Sequence, residues 1–429
     1  MSTALIATLI FTAVLVLLLS DRMDRTIVAL VGASLMIGVG SFLGFYDEHR
    51  AIEAIDFETL VLLFGMMTLV ALLRPTGVFE YLAIHAARLS RGRPAALLVL
   101  LGVAATLLSM LLDNVTTIIL LAPLAILITQ ILGISPLPYL IGLALLSNTG
   151  GVGTLIGDPP NIIIGSAASL TFNDFLIYSL PVVIVAWIAA LGVILWQSRG
   201  ELSVLPKDPA VLDGLDPSEA LHDVPTARKV SVILALTVLL FFLQGVLGLS
   251  TAFIALSMAS LALLWLRPSI EDVMEHIEWS VLLFFIGLFV MVGGLEASGA
   301  LKSVEVLLLE MGQGRAAQTA LFVVWLSAAG SALVDNIPIT VTMVPVIQDL
   351  GRQGLEIFPL WWALAFGAGF GGNATIIAAT TNVVAVQYSK KTRSPIDSRM
   401  WLRRGLPVAL VTCLIASLAF ILFLPHFSP

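Results

Sequence analysis

The sequence predicts an all-α polytopic membrane protein made of two inverted repeats. Each repeat has five transmembrane helices plus a re-entrant hairpin, with a broken helix in each half. Three observations carry this reading. First, of 429 residues 59% are apolar and only 11% charged, with mean hydropathy +1.04; a soluble protein would carry about 25% charged residues. Second, apolar runs at 4–19, 60–73, 177–196, 230–246 and 406–424 are long enough, or nearly so, to cross roughly 30 Å of hydrocarbon as helices. Third, one short pattern is written twice. Leu112-Asp113-Asn114-Val115 returns 222 residues on as Val334-Asp335-Asn336-Ile337, and Pro123 returns as Pro345. Gly150-Gly151-Val152-Gly153-Thr154 is answered by Gly371-Gly372-Asn373-Ala374-Thr375, and Asn161 by Asn382, at an offset of 221. Polar and glycine interruptions at matching points of two apolar halves point to a binding site at a repeat interface.

The first repeat, 1–198, reads as spans at 3–19, 26–45 and 58–74, then a surface helix at 77–92. A hairpin follows at 94–132, tipped by Asp113-Asn114, then a broken span at 136–169 and a last span at 175–197. The first run lacks a basic leader and a small-residue cleavage site, so it reads as a span and not as a signal peptide. Arg74-Pro75-Thr76-Gly77 with Glu80 marks an interfacial helix end from which an arginine snorkels. Residues 199–227 are polar, contain Pro206, Pro209, Pro217 and Pro225, and read as a cytoplasmic linker. The second repeat, 228–429, gives spans at 228–247, 250–267 and 279–297, a surface helix at 299–313, a hairpin at 316–351, a broken span at 359–390 and a final span at 405–424. The match extends past the motifs, since Ile55-Asp56-Phe57 aligns with Ile277-Glu278-Trp279.

An odd number of spans per half turns the second half upside down. The side holding the linker then carries 17 of the 21 Lys and Arg residues, Arg22, Arg25 and Lys207 among them, and the other side only Arg50, Lys302, Arg315 and Arg352. That bias follows the positive-inside rule and places both termini outside a bacterial inner membrane. The hairpin arms, at 18–19 residues, are also long enough to cross fully; the parity survives either way.

Irregular backbone at membrane depth persists only where protein or a watery cavity satisfies it. Four places need this: the tips at Asp113 and Asp335, and breaks read at Ser147 through Thr154 and Gly367 through Thr375. Their inward helix ends offer N–H groups to anions or hydroxyls and carbonyls to small cations. The candidate substrate or ion ligands are Asn114, Thr116, Asn148, Thr149, Gly150, Gly151, Asn161, Asn336, Gly372, Asn373, Thr375 and Asn382. Asn161 and Asn382 could instead cross-link helices. Asp113, Asp158 and Asp335 are candidates for proton or cation coupling, because a midplane carboxylate must be paired, hydrated, cation-bound or protonated. Each could alternatively cap the helix that follows it. Asp158 stands opposite Ala379, so it breaks the symmetry of the repeat.

Other chemistry is excluded or bland. Five scattered histidines form no metal spacing, the single Cys413 allows no internal disulfide, and the glycines lack a Walker lysine. Neither a catalytic constellation nor a nucleic-acid-binding feature is visible. Trp361, Trp362 and Trp401 read as interfacial anchors.

At 112–117, 148–161 and 365–373 the chain resembles the ion transporter superfamily that includes arsenite efflux pumps of the ArsB type, NhaD sodium/proton antiporters and the melanosomal P-protein. The motifs look closest to the P-protein branch. The resemblance implies a scaffold and a mobile part, alternating access, and a homodimer similar to distant sodium–dicarboxylate symporters. Those symporters repeat Ser-Asn-Thr in both halves. Here Ser147-Asn148-Thr149 is answered by Ala368-Gly369-Phe370, which argues against dicarboxylates. The expected function is a secondary transporter, not an enzyme, exporting arsenite or antimonite against protons. Na+/H+ antiport, sodium-coupled anion transport and an anion channel are the alternatives. Apart from H+ or Na+ as coupling ion no cofactor is expected. The expected partners are the inorganic cargo, the bilayer, a second copy and a cytoplasmic ATPase subunit.

Overall fold

The computed structural model describes residues 2–20, 23–206, 208, 212, 214, 216–312 and 315–427. Arg22 and Lys207 of the charge count and Pro209 of the linker lie outside them. Among the described residues the chain is helical with no strand. The first half holds α1 Thr3–Ser20, α2 Arg25–Leu43, α3 Glu48–Glu53, α4 Phe57–Leu73, α5 Val78–Ser90, α6 Pro94–Ser109, α7 Asn114–Leu132, α8 Leu137–Gly151, α9 Pro159–Ala168 and α10 Leu180–Gln197. The second half holds α11 Val224–Leu247, α12 Thr251–Leu266, α13 Ile270–Glu275, α14 Trp279–Ala297, α15 Lys302–Gly312, α16 Ala316–Leu333, α17 Asn336–Arg352, α18 Phe358–Gly371, α19 Thr380–Ser389 and α20 Ser398–Phe423. Each of these ten first-half helices thus has a counterpart ten places later; the short helix Phe172–Asp174 has none.

Local chemistry sets the boundaries. Asp24 opens α2 by accepting from the Thr26 and Ile27 N–H groups, and Gly44 closes it in the left-handed conformation. Asp56 opens α4 through Thr59 N (3.1 Å), and Asp223 opens α11 through Thr226 N (3.0 Å). Nine described helical segments are long and apolar enough to cross a membrane, α7 and α16 of the two hairpins among them.

Packing follows the repeat reciprocally. α2 packs on α14 while α12 packs on α4; α7 meets α19 while α17 meets α9. Where lipid surrounds helices, small residues let backbones approach. A β-carbon on Gly65 would lie 2.7 Å from the Ala255 carbonyl carbon, and one on its mate Gly287 would lie 2.8 Å from that of Ala29. The same glycine-on-alanine contact therefore occurs twice with the halves exchanged. Side-chain fasteners repeat as well. Thr154 donates to Met110 O and Thr375 to Ala332 O, both at 2.7 Å; Ser109 donates to Ser147 O (3.0 Å) and Ser331 to Ala368 O (2.7 Å).

Two expectations need correction. The breaks do not begin at Ser147 and Gly367: α8 stays helical to Gly151 and α18 to Gly371, and the unwound stretches are 152–158 and 372–379. The buried serine hydroxyls hold carbonyls of these last turns, so the glycines there serve close packing rather than unwinding. Nor are Trp361, Trp362 and Trp401 interfacial anchors. They are buried at 4%, 0% and 0% exposure, and Trp401 Nε1 donates to the Asn373 carbonyl (3.2 Å) at the second break.

Contacts also sort the loops. The His222 N–H donates to Thr76 O (3.0 Å), Arg404 reaches Ser198 Oγ (3.1 Å) and Glu201, and Thr26 Oγ1 donates to Ser280 O (3.0 Å). Each of these bonds joins segments that the alternation of spans assigns to the linker side. On the other side Asn173 donates to Phe242 O (2.9 Å), and the His426 ring meets Ile177 O (3.1 Å).

Candidate functional site

The hairpin tips and helix breaks converge on one buried chain of amides. Asn373 Nδ2 donates to Thr149 Oγ1 (2.9 Å), and Asn148 Nδ2 donates to Asn373 Oδ1 (3.1 Å) and Asn382 Oδ1 (2.9 Å). Asn114 Nδ2 donates to Asn148 Oδ1 and to Asp158 Oδ1, both at 3.2 Å. Asn336 Nδ2, from the opposite hairpin, donates to both Asp158 oxygens at 3.2 Å. The chain therefore runs from α8 through the second break, back to α7, and across Asp158 to α17.

The pairing explains why the two halves differ here. Asn148 and Val152 correspond to Gly369 and Asn373. Asn148 meets Asn373 through a polar contact, while Gly369 lies against Val152, where an added β-carbon would stand 2.3 Å from the Val152 side chain. One of two equivalent contacts is polar and the other apolar, so the junction of the halves is polar along one edge only.

The three aspartates take different positions. Asp113 caps α7 through Thr116 N (2.8 Å) and Asp335 caps α17 through Ile337 N (3.1 Å). Asp158 makes no cap hydrogen bond; its carboxylate is left to the two asparagine amides, one from each half. Asp335 also forms an ion pair with Arg25 Nη1 (2.9 Å), which donates in addition to Thr380 Oγ1 (3.2 Å). Thr116 Oγ1 donates to Glu278 Oε1 (3.1 Å), placing a fourth carboxylate beside Asp113.

The remaining candidates fasten the breaks. Asn161 Nδ2 lies at 3.2, 3.1 and 2.8 Å from the carbonyls of Gly151, Val152 and Thr154; Asn382 Nδ2 reaches those of Gly372 (2.7 Å) and Thr375 (2.8 Å). Thr375 is spent on Ala332 O. Gly150 and Gly151 give close approach, since β-carbons there would stand 2.3 Å from Thr106 and 2.5 Å from Gly157 O. Ser147 Oγ, Asn161 Oδ1 and Thr381 Oγ1 are buried without a hydrogen-bond partner among the described residues.

A cavity of about 290 Å³ leads to this network from the side of Asp24, Thr26 and Ser280, and its lining includes Arg25, Asp113, Val115, Pro159, Glu278, Ile337 and Thr380. A second cavity of about 320 Å³, lined by Asp56, Ser166, Glu296 and Gln348, lies at the repeat-equivalent place in the other half. No group of three or more His, Cys, Asp or Glu placed to hold a metal ion occurs among the described residues.

Sequence reasoning missed four contributors. The sequence places Arg25 only among the linker-side charges, Glu278 only in the match to Asp56, Trp401 as an anchor, and Ser147 as part of a break. For Glu278 the signal was present in its alignment with Asp56; Arg25 has no charged mate to betray it.

With this geometry in hand, comparison with known proteins is decisive at the family level. The family model described as CitMHS, citrate transporter, matches residues 15–367. The chain belongs to this family. It is therefore a membrane transporter. Its relatives include the uncharacterized transporter Rv2685 of Mycobacterium tuberculosis (strain ATCC 25618 / H37Rv), 39% identical over 420 residues covering 96% of this chain and 97% of the relative. The P protein of Homo sapiens is 31% identical over 496 residues, covering 95% of this chain and 58% of that protein. The P-protein likeness of the motifs thus extends along nearly the whole CitMHS chain. Among solved structures, the YdaH transporter of Alcanivorax borkumensis superposes with TM-score 0.58 at 16% identity, covering 95% of this chain and all of the other, a likeness of fold.

Proposed function

We propose that this CitMHS-family chain is a secondary active transporter of the inner membrane. In this reading it exports arsenite or antimonite in exchange for protons, by alternating access between the inverted halves 1–198 and 228–429. The observation that carries the reading is Asp158. Among the described residues this buried carboxylate is met by Asn114 and Asn336 alone, one from each half, so its charge state bears on how the two hairpin tips are joined. A carboxylate that holds opposing halves through neutral donors is suited to coupling a proton to their rearrangement.

The cargo reading rests on charge. Among the described residues the site region holds Asp113, Asp158, Asp335 and Glu278, with Arg25 spent on Asp335 and Arg74 near enough to act on Glu278, so acids outnumber bases. An uncharged trihydroxide such as arsenite suits amides, hydroxyls and carbonyls. Free citrate, the anion in the family's description, would meet net repulsion here unless it carried cations with it. Na+/H+ antiport is the second reading, favoured by the oxygen-only grouping of Asp113, Thr116 and Glu278.

Everted vesicles carrying the chain test these readings. Arsenite accumulation driven by an imposed pH gradient, and abolished by Asp158→Asn, is the expected result. Sodium-evoked proton release without arsenite uptake would overturn the cargo in favour of antiport, and conductive flux independent of any proton or sodium gradient would overturn coupling altogether.

A further inference from the structure

The ends of α2 and α14 on the linker side lie together. They are stitched by Thr26 Oγ1 to Ser280 O (3.0 Å), and the helices pack along their length with Gly287 against Ala29. This pair presents a positive and a negative side chain, Arg25 and Glu278, to the linker-side cavity. Arg25 takes Asp335 and Thr380, which begin α17 and α19; Glu278 takes Thr116 in the first turn of α7. Each hairpin tip is thus held by a charged group borrowed from the same pair of helices.

Among the described residues the opposite end of the molecule has no such arrangement. Asp56, the mate of Glu278, spends its carboxylate on Thr59, accepting from the N–H at 3.1 Å and from the hydroxyl at 2.6 Å. α12 begins with the uncharged Thr251 after its cap Ser250, where α2 begins with Arg25 after its cap Asp24. The tips differ in the same sense. Asp113 is in extended backbone, φ −177°, whereas Asp335 sits at φ 154°, ψ 154°, a conformation that side-chain-bearing residues rarely adopt and that persists where surroundings hold it.

We propose that Arg25 and Glu278 are positioning residues that hold both hairpin tips in place at the linker-side cavity, with Arg25 acting as a tethered cation on Asp335. The role deepens the transport reading and rests on it for its purpose. The guanidinium stands on Asp335 until the tip rearranges, and the coupling ion or cargo must then compete with it. The pair stands at the mouth of the linker-side cavity, whereas among the described residues the cavity of similar size at the other end has no such hooks.

The test reads conformation rather than flux, so its failure and the failure of the transport reading stay separate. In the full chain with Cys413→Ala, a single Val383→Cys reports on the linker-side cavity and a single Val344→Cys on the opposite one. A membrane-impermeant maleimide is applied to each face of vesicles. Arg25→Gln is expected to slow labelling of position 383 about tenfold, the equivalent of about 1.4 kcal/mol, and to speed labelling of 344. Because Arg25→Gln alone strands a buried carboxylate, the neutral pair Arg25→Gln with Asp335→Asn is measured beside it and should show the same shift. The charge exchange Arg25→Asp with Asp335→Arg should return labelling toward the parent rate, and Glu278→Gln should move it in the Arg25→Gln direction. Unchanged labelling of both positions in Arg25→Gln and in the neutral pair would overturn the proposal, whatever the vesicles transport.

Discussion

Replacing Asp158 separates the structural part of its role from the coupling part. Its carboxylate accepts from Asn114 at 3.2 Å and from Asn336 at 3.2 Å to each oxygen, and all three residues are buried. Asp158→Ala copies the second half, where Ala379 stands, and strands one buried N–H of Asn114, whose amide keeps Asn148, and the amide of Asn336. At about 1–3 kcal/mol for each stranded donor the loss is about 2–6 kcal/mol. Asp158→Asn keeps the shape and one acceptor oxygen. The asparagine amides can turn to match it, so only the charge-assisted part of the bonds is lost, about 1–2 kcal/mol. Thermal unfolding in detergent should therefore rank parent, then Asn, then Ala, while pH-gradient-driven flux in vesicles should vanish in both variants. Two results would refute the reasoning: undiminished proton-driven flux in Asp158→Asn, or an alanine variant as stable as the asparagine one.

Four further outcomes follow. Asn382→Ala strands the carbonyls of Gly372 and Thr375 and takes an acceptor from Asn148, whereas Asn161→Ala strands carbonyls only. Both should lose stability by about 2–4 kcal/mol, with the greater loss of transport in Asn382→Ala, measured by thermal shift and vesicle flux. Gly150→Ala pushes a methyl to 2.3 Å from Thr106, whose hydroxyl is fixed between Leu146 O and Trp187 Nε1, and should cost about 1–3 kcal/mol. Gly192→Ala in α10 meets nothing within 4 Å and should be neutral or stabilising by up to about 1 kcal/mol in the same assay. At the linker, hydrogen bonds from the Thr226 hydroxyl and N–H hold the Asp223 carboxyl below the usual carboxylate range. A depressed carboxyl contributes its stability above its unfolded-state value and loses it as pH falls through the folded one. Hydrogen exchange at the start of α11 should therefore quicken on acidification, and Asp223→Asn should flatten that dependence.

Much of the architecture was legible in the sequence because the bilayer leaves few options. Long apolar runs must be helices, and the doubled Asp-Asn and Gly-Gly marks fixed the tips to within a residue of where α7 and α17 begin. The cap role of Asp113 and Asp335 was one of two open readings, and the geometry assigns it to them but denies it to Asp158. What the sequence hid depends on reach across space. Arg25 lies 310 positions from Asp335, and nothing in its local pattern separates a snorkelling arginine from one that enters a cavity. The break boundaries were misplaced because Ser109 and Ser331 hold the last helical carbonyls from another helix, which spacing along the chain does not reveal. The tryptophans were misjudged for a similar reason. Bilayer statistics favour the interface, but the second break offers Trp401 a buried carbonyl.

The account depends on the second half standing upside down against the first, so that equivalent positions face opposite compartments. Ser166, which lines the second cavity, and its repeat mate Gln387, which lines the first, report on this directly. Single Ser166→Cys and Gln387→Cys variants in the Cys413→Ala chain, labelled with an impermeant maleimide on right-side-out and everted vesicles, should react from opposite faces: Gln387→Cys from the linker side and Ser166→Cys from the other. Reaction of both from the same face would contradict the inverted arrangement and the alternating access built on it.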